Sequence, residues 1–388
     1  MRGEVVMGIN KEIISLILAG GKGTRLGVLT ERYAKPAVPY GGECRLIDFP
    51  LSNSINSGIN NIGVIVQHKP IGIYRHIISS ETWSLKKNKK INIDFLPPSK
   101  ENDIHNEYTG TANAIYQNLK YIEKFNPKYV LILSGDHIYK MDYNKMLESH
   151  KKNNADITIS AIKVQMKEAS RFGIINVRED NSIYEFEEKP KKPKSDKASM
   201  GIYIFNYDII KKYLIEDERN ELSSHDFGKD IIPKMLNDNR RLFCYEFKGY
   251  WKDVGTIESL WQANMNLLNK ENNLNLHDEF WKIYSTNKFK YNKSKVDITG
   301  TIKHSIISEN CIIEGYVENC VLFPNVHIKE GAIVKNSVIL TNTKVESNSV
   351  INKAIIGGDT IINNNIKVGD GINLIAIGPE RNIEKDVV

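Results

Sequence analysis

Apolar residues in the first two thirds of the chain gather into strand-length blocks at residues 13–19, 62–66, 129–133 and 157–164. Between the second and third blocks, residues 113–125 carry Ala114, Ile115, Leu119 and Ile122 at helical spacing. Continuous Ile/Val/Leu runs separated by helices predict a sheet buried on both faces, hence a mostly parallel α/β domain over residues 1–266. Ligands of such sheets bind beyond the C-terminal strand ends, and Gly20 and Asp136 each fall just past a block. From 267 to 297 the pattern fades into Asn- and Lys-rich sequence, a linker in which Trp281 is the one expected docking anchor. Beyond 298 aliphatics recur every four to six residues, at Ile302, Ile306, Ile312, Val317, Leu322, Ile328, Ile333, Ile339, Val345, Val350, Ile356 and Ile361. A helix would repeat near 3.6 and a flat strand at 2. The observed step predicts a parallel β-helix of hexapeptide-type repeats over 298–388, with each of these aliphatics pointing inward and a role in assembly. A β-sandwich is the alternative.

Composition narrows the class. The 388 residues suffice for two or three domains at about 150 residues each, and 41% hydrophobic with 26% charged residues excludes wholesale disorder. No apolar run approaches the roughly 20 residues of a membrane span, and none has the flanks of a signal peptide. The cysteines (Cys44, Cys244, Cys311, Cys320) lack CxxC spacing. Free thiols, no structural zinc and a cytoplasmic, reducing setting are therefore expected. The net charge of +6 comes from dispersed Lys and Arg, which suits anionic small substrates and argues against nucleic acid.

The candidate chemistry starts at Gly20-Gly21-Lys22-Gly23-Thr24-Arg25. Three glycines within four residues after a buried strand let backbone N–H groups approach phosphate oxygens, and Arg25 adds a planar cation. The spacing fits neither the dinucleotide GxGxxG nor the P-loop. Lys35, before Pro36, is expected in extended backbone within reach of the same phosphates. Asp136 ends a strand beside this loop, a natural seat for Mg²⁺, and Asp253 is the candidate second carboxylate. His137 is expected to satisfy a local hydrogen bond. Glu188 could accept from sugar hydroxyls while Lys189 meets a phosphate as a point charge. In Glu107-Tyr108-Thr109-Gly110-Thr111, the Gly-Thr turn opens a helix whose backbone dipoles could face an anion or a base edge.

Taken together, the chain resembles the glucose-1-phosphate adenylyltransferase (ADP-glucose pyrophosphorylase) family of the bacterial glycogen-synthesis type. The resemblance covers almost the whole chain. It rests on GGKGTRL at 20–26, AKPA at 34–37, RLIDF at 45–49, SGDHIYK at 134–140, EASRFG at 168–173, FEEKP at 186–190, ASMGIY at 198–203, SHDFGKD at 224–230 and YWKDVGT at 250–256. It implies a Rossmann-like nucleotidyltransferase domain followed by a left-handed parallel β-helix, and transfer of AMP from ATP to α-D-glucose 1-phosphate with release of pyrophosphate. It further implies that Gly20, Gly21, Gly23, Thr24, Arg25, Gly110 and Thr111 hold ATP, and that Tyr108, Gly173, Glu188, Lys189 and Ser199 hold glucose 1-phosphate. Asp136 and Asp253 would hold Mg²⁺, with Arg25, Asp136 and Lys189 catalytic. Arg32, Lys35 and Gln67 fall at regulatory positions, in a homotetramer that in some members includes a related regulatory subunit. Glu107 and Thr109 depart from the family's usual residues beside Tyr108, which puts strong activation in doubt. Alternatives are a non-catalytic regulatory subunit, a related enzyme using UTP, dTTP or GTP, and an acyltransferase function of the β-helix.

Overall fold

The structure, a computed structural model, describes residues 10–78, 83, 91–98, 107–269, 274–285 and 297–388. Among these, the N-terminal region is organised on a nine-stranded mixed sheet. Ile13–Leu18 runs parallel between Tyr129–Ser134 and Asn61–Ile65, and Asn92–Leu96 continues the parallel half. The long strand Lys197–Asn206 joins antiparallel to Tyr129–Ser134 and carries the other half.

The strand-length runs behave as expected of a doubly covered sheet. Ile14 and Leu16 enter the core on one face, Ile13 and Ile17 that on the other, and Val130 and Ile132 separate likewise from Leu131 and Leu133. The segment 113–125 is two helices, not one: Thr111–Tyr116 and Leu119–Glu123 are broken at Gln117 and Asn118. Asn118 Nδ2 donates to Ala114 O (2.8 Å) and to Tyr108 Oη (2.9 Å), taking its side chain out of regular helix solvation. Ala114, Ile115, Leu119 and Ile122 still share one core.

Ile257–Asn266 closes the N-terminal region. Thr256 and Ser259 form its capping box, each side chain accepting from the other's backbone amide at 3.1 and 2.9 Å. Thr256→Ala should cost about 1 kcal/mol, read as a melting temperature lower by about 2–4 °C in calorimetry. An unchanged melting temperature would show that the cap contributes nothing.

The segment 274–285 is packed down: Leu274, Leu276 and Ile283 are buried, and Trp281 Nε1 donates to Asn53 Oδ1 at 2.8 Å, as an anchor should. Asn287 and Lys288 lie outside the described residues.

From Asp297 the chain coils into three parallel sheets in which every strand pairs with the third one along, a three-sided parallel β-helix. Its corners are turned by residues of positive φ, mostly Asn (Asn310, Asn319, Asn325, Asn336, Asn342, Asn348, Asn365), the side chain that best tolerates that region after glycine. The corner amides stack: Asn325 donates to Asn342 (2.9 Å), which donates to Asp359 (2.8 Å).

Not all the repeat aliphatics point inward. Ile312, Ile333 and Ile361 are exposed, and their neighbours Ile313, Val334 and Ile362 fill the core. Side chains on a strand alternate, so a doublet such as Ile312-Ile313 fits the five-to-six step in either register.

A third set, Val321, Phe323, Val338, Leu340 and Ile355, faces outward and packs on Leu26, Leu29, Val38, Leu260 and Ala263 of the N-terminal region. Arg32 pairs with Glu380, and Glu31 with Arg381 (2.6 Å), along the same seam. The cysteines are free and buried, and no described helix is long and apolar enough to cross a membrane.

Candidate active site

Three neighbouring parallel strands deliver the site. Beyond Leu18 comes the glycine loop, beyond Ile65 come Gln67 and His68, and beyond Ser134 comes Asp136. Gly135 N donates to Leu18 O (3.0 Å), tying two of these strand ends together. Gly23 takes φ +67°, and a Cβ there would sit 2.9 Å from Lys35 Cβ, so glycine is needed to let the loop lie against that lysine.

Asp253 arrives from a distant part of the chain. Trp251–Asp253 pairs antiparallel with His137–Tyr139, and the register sets Asp253 opposite His137. Asp136, His137 and Asp253 each offer one ligand atom within 4.8 Å of the others. Lys35 forms ion pairs with both aspartates, the one to Asp253 at 3.6 Å, and Ser134 Oγ donates to Asp136. Burial alone would raise the Asp136 carboxyl, but Lys35, His137 and Ser134 outweigh it and hold Asp136 well below the usual carboxylate range. Two carboxylates and an imidazole nitrogen converging on one point form a donor set suited to a divalent cation.

This cluster stands on the wall between two clefts. The larger, about 660 Å³, is lined by Gly20, Gly21, Lys22, Gln67, His68, Glu107, Tyr108, Thr109, Gly110, Thr111 and Lys229. The smaller, about 280 Å³, is lined by Arg25, His137, Arg171, Gly173, Glu188, Lys189, Ser199, Tyr203, Trp251 and Asp253. Leu18, Lys35, Thr111, Ser134, Asp136 and Asp226 line both.

The loop 224–230 braces this wall. Asp226 caps Phe227–Ile231 by accepting from the amides of Gly228 (2.9 Å) and Lys229 (3.2 Å), and it accepts from Thr111 Oγ1 at 3.0 Å. Gly110 is where this loop crosses: a Cβ there would meet His225 O at 2.2 Å.

Several residues are placed differently from the sequence expectation. Lys35 opens the 3-10 turn Lys35–Ala37, the extended residue being Ala34 one position earlier. Pro36 lacks only an N–H that a helix start leaves unpaired. Although grouped with regulatory positions, Lys35 lies in the charge cluster, and Gln67 lines the larger cleft, while Arg32 lies at the seam with the β-helix. At the helix opening at Thr111, the Ala112 amide is not offered to a ligand, because Ala112 N donates to His225 O at 2.8 Å.

His137 is not satisfied locally. Its Nε2 is 3.4 Å from Asp136 Oδ1, while its buried Nδ1, like Trp251 Nε1, finds no partner among the described residues. Tyr108 lines the larger cleft, apart from Gly173, Glu188, Lys189 and Ser199. Its Oη donates to Leu96 O (3.1 Å), and burial pushes the phenol up to about 12. Arg25 lies on the side of the smaller cleft, near Asp253 across Gly255, and Gly23 and Thr24 line neither cleft.

Asp226, Arg171, Tyr203 and Trp251 were not assigned roles from sequence. All four fall inside motifs quoted above, but only the fold shows that they share the cleft.

Comparison with known proteins shows the family of each region. The nucleotidyl transferase family matches residues 14–270, and the GlmU-like C-terminal hexapeptide family matches residues 286–374. The chain is 58% identical over 335 residues to a glucose-1-phosphate adenylyltransferase of Clostridium perfringens (strain 13 / Type A), covering 86% of this chain and 84% of the relative. It is 57% identical over 326 residues to one of Clostridium botulinum (strain Alaska E43 / Type E3), covering 84% of each. It is 53% identical over 324 residues to one of Acetivibrio thermocellus, covering 83% of this chain and 75% of the relative.

Proposed function

The chain belongs to the glucose-1-phosphate adenylyltransferase family of nucleotidyl transferases, and from that membership we propose that it transfers AMP from ATP to α-D-glucose 1-phosphate, giving ADP-glucose and pyrophosphate. This is the step that commits glucose to glycogen in bacteria. The observation that carries the reading is the meeting of Asp136, on the wall shared by two clefts, with Asp253 of the smaller cleft, Lys35 lying between them.

The chemistry needs no general base, because the attacking phosphate oxygen is already an anion. The barrier is electrostatic: two polyanions must come into contact, and the leaving pyrophosphate carries charge. The larger cleft, with Gly20, Gly21, Gly110 and Thr111, is the ATP side. Gly23 and Thr24 shape the loop, and Arg25 and Lys35 sit where the triphosphate would meet the second substrate. Gly173, Glu188, Lys189 and Ser199 form the side for glucose 1-phosphate, and Tyr108, assigned to that substrate by the resemblance, lines the ATP side. Positioning and charge neutralisation by fixed cations then do the work that water would do poorly.

Mg²⁺ is the proposed metal, held by Asp136 and Asp253 with His137 beside them. When bound it would neutralise phosphate charge and stabilise the departing pyrophosphate. We further assign residues 1–266 to the catalytic domain, 267–297 to the connecting strap and 298–388 to the left-handed β-helix. The proposed setting is the cytoplasm, as a homotetramer in which Arg32 and Gln67 respond to metabolite effectors.

The test is to purify the chain alone and measure pyrophosphate release with ATP, UTP, dTTP and GTP, with glucose 1-phosphate as the acceptor, with and without fructose 1,6-bisphosphate. Formation of ADP-glucose, with ATP preferred, is the expected result. Preference for another nucleotide overturns the assignment of the base, and no product with any of the four overturns the catalytic reading.

A further inference from the structure

The smaller cleft holds a cation whose donors are not used. Arg171 follows the short helix Met166–Ala169 in a tight turn, its amide donating to Glu168 O at 3.0 Å. The next strand, Gly173–Val177, pairs with Ile183–Glu188 so that Gly173 lies opposite Glu188, and Lys189 N donates to Phe172 O at 3.1 Å. The hairpin register therefore brings Arg171 and Lys189 to the same end of the ribbon, and both line the cleft.

The Arg171 guanidinium lies over the Phe172 ring, 5.6 Å from its centroid, and Phe172 is fixed edge-on against Trp251 at 5.5 Å. Its Nη2 approaches Asp253 Oδ2 only to 3.8 Å, and among the described residues its guanidinium donates no hydrogen bond.

Arg25 lines the same cleft as a second guanidinium, near Asp253 across Gly255, and the remaining charges facing Arg171 are engaged. Lys35 is paired with Asp136 and Asp253, and Lys189 with Glu188 at 2.8 Å. Asp226 accepts from two amides and Thr111. Arg171 thus presents a rigid fork, oriented by an aromatic platform and still 39% exposed, beside the aspartate pair. A planar fork matches two oxygens of one phosphate, where an ammonium offers a point charge. Its place near Asp253, and its absence from the lining of the larger cleft, set it at the phosphate end of the sugar side.

We propose that Arg171 binds the phosphate group of the hexose phosphate, its fork taking two oxygens while Lys189 supplies the second cation. This deepens the function proposed above and rests on it.

The experiment compares wild type with Arg171→Gln and Arg171→Lys in steady-state kinetics. It adds calorimetric titration of glucose 1-phosphate in the presence of α,β-methylene ATP, and thermal melting. For Arg171→Gln, KM and Kd for glucose 1-phosphate should rise about 10- to 100-fold, with KM for ATP within about twofold and melting unchanged. Arg171→Lys, which keeps charge but not the fork, should recover only part of the affinity. Unchanged glucose 1-phosphate affinity in Arg171→Gln overturns the inference, as does an equal loss for both substrates accompanied by a lowered melting temperature. Failure of the wild type to form ADP-glucose overturns the function itself, whereas these two results leave it standing.

Discussion

Asp136→Asn should lower kcat by about 10²- to 10³-fold, as expected from removing one preorganised charge contact to a transition state, while leaving KM for ATP within a few fold. The carboxylate is held by Ser134 Oγ and Lys35 and stands across from Asp253 on the shared wall. Asparagine keeps the shape but not the charge. One oxygen anchor for a divalent cation disappears, and Lys35 loses its closest counter-ion. Asp253→Asn should fall in the same range, and the double variant should lose far less than the product of the two, because the residues act as one unit. Near-normal turnover of Asp136→Asn at saturating Mg²⁺ would refute the assignment.

The pH dependence follows from the same contacts. Desolvation opposes ionisation of Asp136, but Lys35 and His137 reverse the balance, so its pKa in the folded state is depressed. Its contribution to stability is then fully present above the unfolded-state value and is lost only as pH falls through the lower folded value.

What could be read from the sequence was local. The glycine loop, Asp136, Asp253, Glu188 and Lys189 announce themselves as residue types at the ends of recognisable runs, and the strand runs sort onto two faces as their continuity requires. What could not be read depends on register and on contacts between distant segments. The Ile312-Ile313 doublet gives no sign of which residue turns inward. Nothing near Thr111 indicates that His225, more than a hundred positions on, takes the Ala112 amide of its helix. Lys35 is legible as a lysine near the phosphate loop, but that it stands between two carboxylates follows only from the ribbon pairing Asp253 with His137. Arg171 stands in a quoted motif, but its place in the smaller cleft, 3.8 Å from Asp253, depends on the hairpin and on the ribbon that carries Asp253.

Lys189→Ala should raise KM for glucose 1-phosphate about 10- to 100-fold, the range of a charged hydrogen bond to substrate, while KM for ATP changes less than about threefold. The asymmetry follows from placement: Lys189 lines only the smaller cleft, on the far side of Asp136 from the glycine loop. The backbone separates this role from a structural one. Lys189 has φ +49°, a left-handed conformation that disfavours side chains with a Cβ, next to Glu188, whose carboxylate it pairs with at 2.8 Å. Strain held at such a position is consistent with aiming a functional group. Lys189→Gly should therefore bind glucose 1-phosphate as poorly as Lys189→Ala while melting higher than Lys189→Ala, since glycine relieves the strain that alanine keeps. Lys189→Arg should retain more affinity than either. If Lys189→Ala raised both Michaelis constants equally, or if Lys189→Gly restored binding, the ammonium would not be holding the phosphate and the turn alone would matter.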